Sequence, residues 1–248
     1  MKKLLLMTFL AVSLTANAEE KNETVVLNDA NTATFAVCDD THDGGLKIYK
    51  GKDDDDRWSM HLAVGVNVPT GAPDGVNFAP LRSWELNWTV MQYDYTPKKS
   101  KTTLSAGLGF NWRAYTLKGH KNGFFKVNDV VGIGEFGTEF DEFSSNIHTT
   151  ALTMPLLVKQ RFGKNFAITL GAQLNWNFYA RIHNFEELND YSVDEYTKNI
   201  GQRPFTVDAL GIVDIFKGFS IYCKYSPMSV LKKDRGPEFK SLAFGIYF

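Results

Sequence analysis

Beyond its first residues this 248-residue chain has no long apolar run, almost no net charge and only two cysteines. Each shortage excludes something. A membrane-spanning helix needs about 20 consecutive apolar residues, and nothing after Leu14 approaches that length. A net charge of −1 carries no electrostatic footprint for nucleic acid, so no nucleic-acid partner is expected. Cys38 and Cys223 are too far apart in sequence to suggest a metal site. An oxidising compartment would permit a disulfide between them. Cys223, however, alternates in phase with Ile221 and Tyr225, which points it towards lipid, so no bridge is expected. The acidic runs Asp39-Asp40-Thr41-His42-Asp43 and Asp53 to Asp56 contain the carboxylates that Ca²⁺ favours. Their spacing is not that of a calcium loop, and charge runs are usually solvated. Neither a metal nor a cofactor is expected.

The strongest positive signal lies in Ser241 to Phe248. Leu242, Phe244, Ile246 and Phe248 alternate with small or amphipathic residues, the period of a strand with one apolar face. The segment resembles the closing strand of bacterial outer-membrane barrels, a resemblance that implies Phe248 as an insertion signal read by outer-membrane insertion machinery. The other end of the chain agrees. Lys2-Lys3, an apolar stretch from Leu4 to Leu14 and the Ala16-Asn17-Ala18 pattern form a secretory signal peptide, residues 1–18. Residues 19–56 carry little strand pattern and are read as a largely irregular periplasmic extension, with one short strand possible over Gly45 to Lys50. It could anchor the chain to an envelope protein partner.

From residue 57 to 248 the chain resolves into eight alternating segments: Trp58–Val68, Arg82–Thr96, Thr102–Thr116, His148–Phe162, Phe166–Ile182, Phe205–Phe216, Phe219–Met228 and Phe239–Phe248. Pro155 should mark a bulge, because proline cannot donate to a ladder, and the phase break near Tyr93 and Tyr95 suggests another bulge or a membrane edge. The connections alternate strictly. Pro97 to Lys101, Gly163 to Asn165 and Lys217-Gly218 are short; Pro69 to Leu81, Leu117 to Ile147, His183 to Pro204 and Ser229 to Glu238 are long. This is the pattern of an all-β fold, an eight-stranded antiparallel up-and-down transmembrane β-barrel with short periplasmic turns and long extracellular loops. A soluble lipocalin-like barrel would turn its apolar face inward instead, a reading the export signal and loop asymmetry disfavour. Aromatics, 14% of residues, suit interfacial girdles: Trp58, Trp84, Tyr95, Trp112, Tyr115, Tyr179 and Tyr247 are placed there.

Met154-Pro155-Leu156-Leu157-Val158-Lys159, then Phe162, a Gly163 turn and Leu170-Gly171-Ala172-Gln173-Leu174, resembles the fourth-to-fifth strand hairpin of the Bacteroidetes outer-membrane β-barrel family, which includes PorT-like proteins. Tyr225-Ser226 and Gly245-Ile246-Tyr247-Phe248 are similar as well. The resemblance implies a fold and an address in the cell outer membrane rather than a reaction.

Eight strands enclose an interior just filled by side chains. The inward phase carries His61 and the charges Glu85, Arg113, Lys159, Arg161, Arg181, Asp208, Asp214 and Lys224. Both signs are present, so a structural, salt-bridged plug is expected, with Glu85 beside Arg113 and Asp208 facing Lys224. Unpaired buried ions would be too costly. A narrow solute channel is the alternative. The Lys118 to Asn146 loop, with Phe124, Phe125, Phe136, Phe140 and Phe143, is too apolar to be merely solvated and offers a hairpin extending the barrel, a lid over its mouth or a contact surface. A lipid-modifying enzyme is a further alternative. Catalysis needs a nucleophile, a base and an orienting group; Ser59-Met60-His61 is the nearest approach, and no catalytic residue is assigned. The reading is therefore a monomeric barrel in outer-membrane lipid, with a closed lumen, acting through its loops.

Overall fold

In a computed structural model the chain is described over residues 46–48, 56–73, 76–119, 122–136, 142–163, 166–188, 191–216 and 219–248. The expected signal peptide, Cys38, the acidic runs apart from Asp56, most of two short turns and Phe140 lie outside the described residues.

Among the described residues twelve strands are present: β1 (Leu46–Ile48), β2 (Asp56–Thr70), β3 (Trp84–Tyr95), β4 (Thr102–Thr116), β5 (Asn122–Val127), β6 (Val130–Glu135), β7 (Glu142–Arg161), β8 (Ala167–Leu188), β9 (Tyr191–Lys198), β10 (Phe205–Phe216), β11 (Phe219–Ser226) and β12 (Lys240–Tyr247). Eight of them, β2, β3, β4, β7, β8, β10, β11 and β12, pair antiparallel in sequence order, and β12 returns to β2 to close the ring. Closure leaves no open edge around the circumference. β12 ends beside the middle of β2, where Phe248 exchanges backbone hydrogen bonds of 2.8 and 3.0 Å with Leu62. β1 then pairs with Trp58 to Met60 of β2, within the stretch where a short strand was expected.

The barrel is inside out. Val64, Leu104, Leu108, Met154, Leu156, Val158, Leu170, Trp176, Val207, Ile221 and Phe244 are exposed on its outer surface. Their strand neighbours Ser59, His61, Asn67, Asn87, Asn111, Thr153, Gln173, Asn175 and Ser241 are buried inside. Cys223 is exposed on the apolar outer face. No helix among the described residues is long and apolar enough to cross a membrane; strands provide the apolar surface instead.

Pro155 makes no bulge. It stands opposite Gln173 on β8, and the β4–β7 register is unchanged on either side of it, from Ala106↔Leu156 to Gly109↔Thr153. The missing N–H only interrupts the ladder locally. The irregularity expected from the Tyr93/Tyr95 phase break is present a few residues earlier on β3, and a second one lies on β8. On β3 the register with both neighbours shifts at Val90 and Met91, so both face outward and the phase resets before Gln92. On β8 the register jumps from Tyr179↔Thr150 to Asn177↔Ala151, leaving Phe178 as the extra residue. One added residue moves every later side chain to the opposite face. Ala180, Ile182 and Asn184 therefore turn inward, and Arg181 turns outward.

The long connections are structured. β5 and β6 form a hairpin joined by Asn128-Asp129, both with positive φ (50° and 62°), the conformation of a tight type I′ turn. Lys126 lies 2.8 Å from Asp129 and holds its carboxyl below the usual range. β7 and β8 run well past the apolar belt, and β9 adds a third strand to that extension.

Candidate functional site

The lumen is layered from the turn end to the loop end. At the turn end, Ser59 Oγ donates to Asp94 Oδ2 at 3.1 Å and lies 3.0 Å from His61 Nε2. Gln92 Nε2 donates to Asp94 Oδ1 at 2.8 Å. His61 Nδ1 lies 3.2 Å from the Phe248 carbonyl, and the His61 ring stacks on Tyr247 at 5.0 Å. In a hydrolase triad the carboxylate would orient the histidine at Nδ1 while Nε2 serves the serine. Here Asp94 holds the serine, so the arrangement is a structural hydrogen-bond net. Lys159 pairs with Asp214 at 2.8 Å on the same storey, and Ser220 Oγ donates to Asp214 at 2.6 Å. Arg161 ends β7 at the rim, half-buried.

Above this lies an apolar storey of Ala63, Leu157, Leu210, Ile212, Tyr222 and Ala243. Gly65 and Gly245 face each other across the closing seam. A Cβ at Gly65 would strike the Phe244 carbonyl and stand 2.5 Å from the Tyr222 hydroxyl, so glycine there lets Tyr222 reach inward.

The central storey holds the charges. Arg113 Nε meets Glu85 Oε1 at 2.9 Å, its Nη2 meets Asp208 Oδ2, and its Nη1 donates to Ser226 at 3.1 Å. Lys224 Nζ pairs with Glu85 Oε1. Asn111 Nδ2 donates to Glu85 at 2.7 Å, Asn175 Nδ2 to Asp208 at 2.9 Å and the Tyr222 hydroxyl to Glu85 Oε2 at 3.3 Å. Glu85 and Asp208 have no solvent exposure and Lys224 only 1%. Two acids and two bases balance, and two of the pairs span the lumen, β11 to β3 and β4 to β10.

Arg113 also floors a small chamber lined by Tyr115, Thr149, Asn177, Thr206 and Ser226, about 10 Å³ in volume, room for roughly one water. The chamber is roofed by a cap that all four loop connections share. Tyr115, Phe124, Ile147, Ile200 and Leu231 are 0% exposed in it, and Phe239 1%. Phe78 packs on Phe239 at 4.8 Å, Lys118 N donates to Asn77 O at 2.8 Å, Val131 N to Arg235 O at 2.9 Å and Arg203 N to Val230 O at 2.9 Å.

The structure thus brings Glu85, Arg113, Asp208 and Lys224 into one cluster and Lys159 with Asp214 into another. Asp208 stands beside Ser226 and the direct partner of Lys224 is Glu85, correcting the expected Asp208–Lys224 facing. Arg181 leaves the lumen through the β8 bulge and stacks over Tyr196 outside, 4.7 Å from the ring centroid. Of the loop aromatics, Phe124 and Phe143 are wholly buried, Phe136 packs on Phe143 at 5.3 Å, and Phe125 is 38% exposed. Tyr115 and Tyr247 share the phase of Arg113 and Gly245 and so belong to the interior, not to a girdle. Phe248 is on the outer face, 44% exposed. Tyr222, the lumen phenol, was legible only as the inward neighbour of Ile221 and Cys223.

No family model and no curated protein matches the chain. Among solved structures, the crystal structure of Ail, the attachment invasion locus protein of Yersinia pestis, is similar at 11% identity and a TM-score of 0.32, over 79% of this chain and 100% of that one. A likeness of that size says nothing of activity. The eight-stranded barrel stands on its own ladders.

Proposed function

We propose that this chain is an integral protein of the outer membrane, with a lumen closed by its own side chains, that acts as a structural or interaction barrel through its loop end on the cell exterior. One observation carries the reading: the ion pairs that cross the lumen, Lys224 to Glu85 and Arg113 to Asp208, beneath a cap built from all four loops. A solute would have to part buried, charge-balanced pairs, and separating one such pair costs about 3–5 kcal/mol. The apolar outer belt and polar interior support lipid on the outside. The hairpin around Met154 to Lys159 supports a Bacteroidetes-type, PorT-like relationship, and with it a cleaved leader and insertion through Phe248.

Orientation is the cheapest part to test. An epitope inserted between Asn128 and Asp129 is expected to bind antibody on intact cells. The same epitope between Lys98 and Lys99 is expected to react only after the envelope is permeabilised. The reverse pattern, or no surface signal from either, would overturn the reading.

A further inference from the structure

Outside the lumen, the ladders align one row of side chains that the closed barrel does not use. Trp84 stands on β3 level with Ala114 on β4, since the next pair along is Glu85↔Arg113. Ala114 pairs with His148, His148 with Arg181 and Arg181 with Lys198. All of these positions lie on the outer face. The row next to it, towards the apolar belt, is Trp112–Thr150–Tyr179, and the one beyond is Phe110–Leu152–Trp176. The basic row therefore begins where the belt of aromatic and aliphatic side chains ends, at the height where lipid headgroups lie against a barrel.

The side chains in and beside this row converge. The His148 ring lies 6.2 Å from Trp84 and 6.1 Å from His183. Tyr196 stacks flat on His183 at 4.6 Å and carries the Arg181 guanidinium over its ring. Asp194 Oδ1 lies 2.6 Å from His183 Nε2 and, among the described residues, forms no other ion pair. Among the described residues neither Arg181 nor Lys198 forms an ion pair. The other carboxylates of this face, Glu142 and Glu187, stand opposite each other three rows farther from the belt. The gradient runs from basic at the membrane edge to acidic beyond it, which suits an anion held at the edge and no deeper in the loops.

We propose that this row is a binding site for the phosphate group of an outer-leaflet lipid headgroup. Arg181 and Lys198 supply the charge, His148 supplies a ring N–H donor, and Trp84, Tyr196 and the Asp194-held His183 ring wall the site. The assignment rests on the outer-membrane reading above.

The test uses the full chain folded into phosphatidylcholine vesicles with and without phosphatidic acid, then lifted into detergent for native mass spectrometry of the lipid it retains. Retained phosphatidic acid is expected to be enriched over its bulk fraction by roughly thirtyfold, the weight of two surface cations. Arg181→Gln with Lys198→Gln should abolish most of that enrichment. Lys118→Gln with Lys233→Gln, at exposed loop positions, should leave it unchanged. No enrichment in the unaltered chain, or equal enrichment in the Arg181/Lys198 variant, overturns the site. Displacement of the lipid by equimolar inorganic phosphate would make it a free-anion site and overturn the lipid assignment. Heat-modifiable gel mobility, read on the same vesicles, reports separately whether the chain enters a bilayer. A chain that enters neither composition overturns the membrane reading itself.

Discussion

At the scale of single residues, the chain makes its largest commitment at Arg113. One guanidinium answers Glu85 on its own side of the lumen and Asp208 across it. Removing it would leave two buried carboxylates with Lys224 as the remaining cation of the storey. Arg113→Met is expected to lower folding stability by about 3–5 kcal/mol, read as the urea midpoint of unfolding in micelles. Arg181→Gln, outside the lumen and stacked rather than paired, should stay within about 0.5 kcal/mol of the unaltered chain. Equal losses at the two positions would show that the lumen network contributes nothing special. The contrast matters because a strict two-residue period gives both arginines the same inward assignment. Phe178 separates them.

At the scale of elements, the β5–β6 hairpin shows how an apolar loop becomes a lid. Phe124 N donates to Ser145 Oγ at 2.8 Å, and Asn184 Nδ2 donates to Phe124 O at 3.0 Å, which fixes the hairpin to β7 and β8 while the Phe124 ring fills the cap. Phe124→Ala removes a fully buried ring, a loss of about 3–5 kcal/mol in a well-packed site. Its expected consequence is local: faster proteolysis between residues 118 and 142, with heat-modifiable mobility retained. Phe125→Ala, at 38% exposure, should cut no faster than the unaltered chain. If the two behave alike, the hairpin does not depend on that buried ring. The barrel strands were legible because alternation between lipid and lumen repeats the same two-residue pattern eight times; β4 and β10 fall on the expected residues, Thr102–Thr116 and Phe205–Phe216. The hairpin was legible as a β extension or lid from the apolar residues of Lys118 to Asn146, though its strand bounds were not; β9 and the outer halves of β7 and β8 were not legible. Beyond the belt one face meets water and the other the cap, so polar residues such as Ser145 and Asn184 turn inward and aromatics such as Tyr196 turn outward, and the alternation loses its sign. The β3 bulge showed in the sequence as the phase break near Tyr93 and Tyr95, a few residues past its place at Val90. The β8 bulge escaped, because Phe178 is an ordinary strand residue and only its pairing partners reveal the extra one.

At the scale of the whole molecule, the two ends and the seam form one closed system. β12 closes on β2, the turn end is held by the Ser59–Asp94 and Lys159–Asp214 contacts, the centre by the four-charge cluster and the loop end by the cap. The Glu85–Arg113 neighbourhood was readable from the sequence, because adjacent strands with a short turn bring those positions level. The Lys224–Glu85 pair was not, since it joins strands that are distant in the ring and meet only when the barrel closes around them. With the turn-end contacts, the apolar storey, the charge cluster and the cap all lying between the two openings, loss of any one leaves the others in place. Deleting the hairpin alone is therefore not expected to open a path.

Planar-bilayer recording of the refolded protein, after heat-modifiable mobility has shown that it is folded, tests this closure most directly. A folded chain that adds no steady current to the bilayer is the expected result. Discrete, long-lived conductance steps from the unaltered chain would contradict it and show that solutes pass the Glu85–Arg113–Asp208–Lys224 storey.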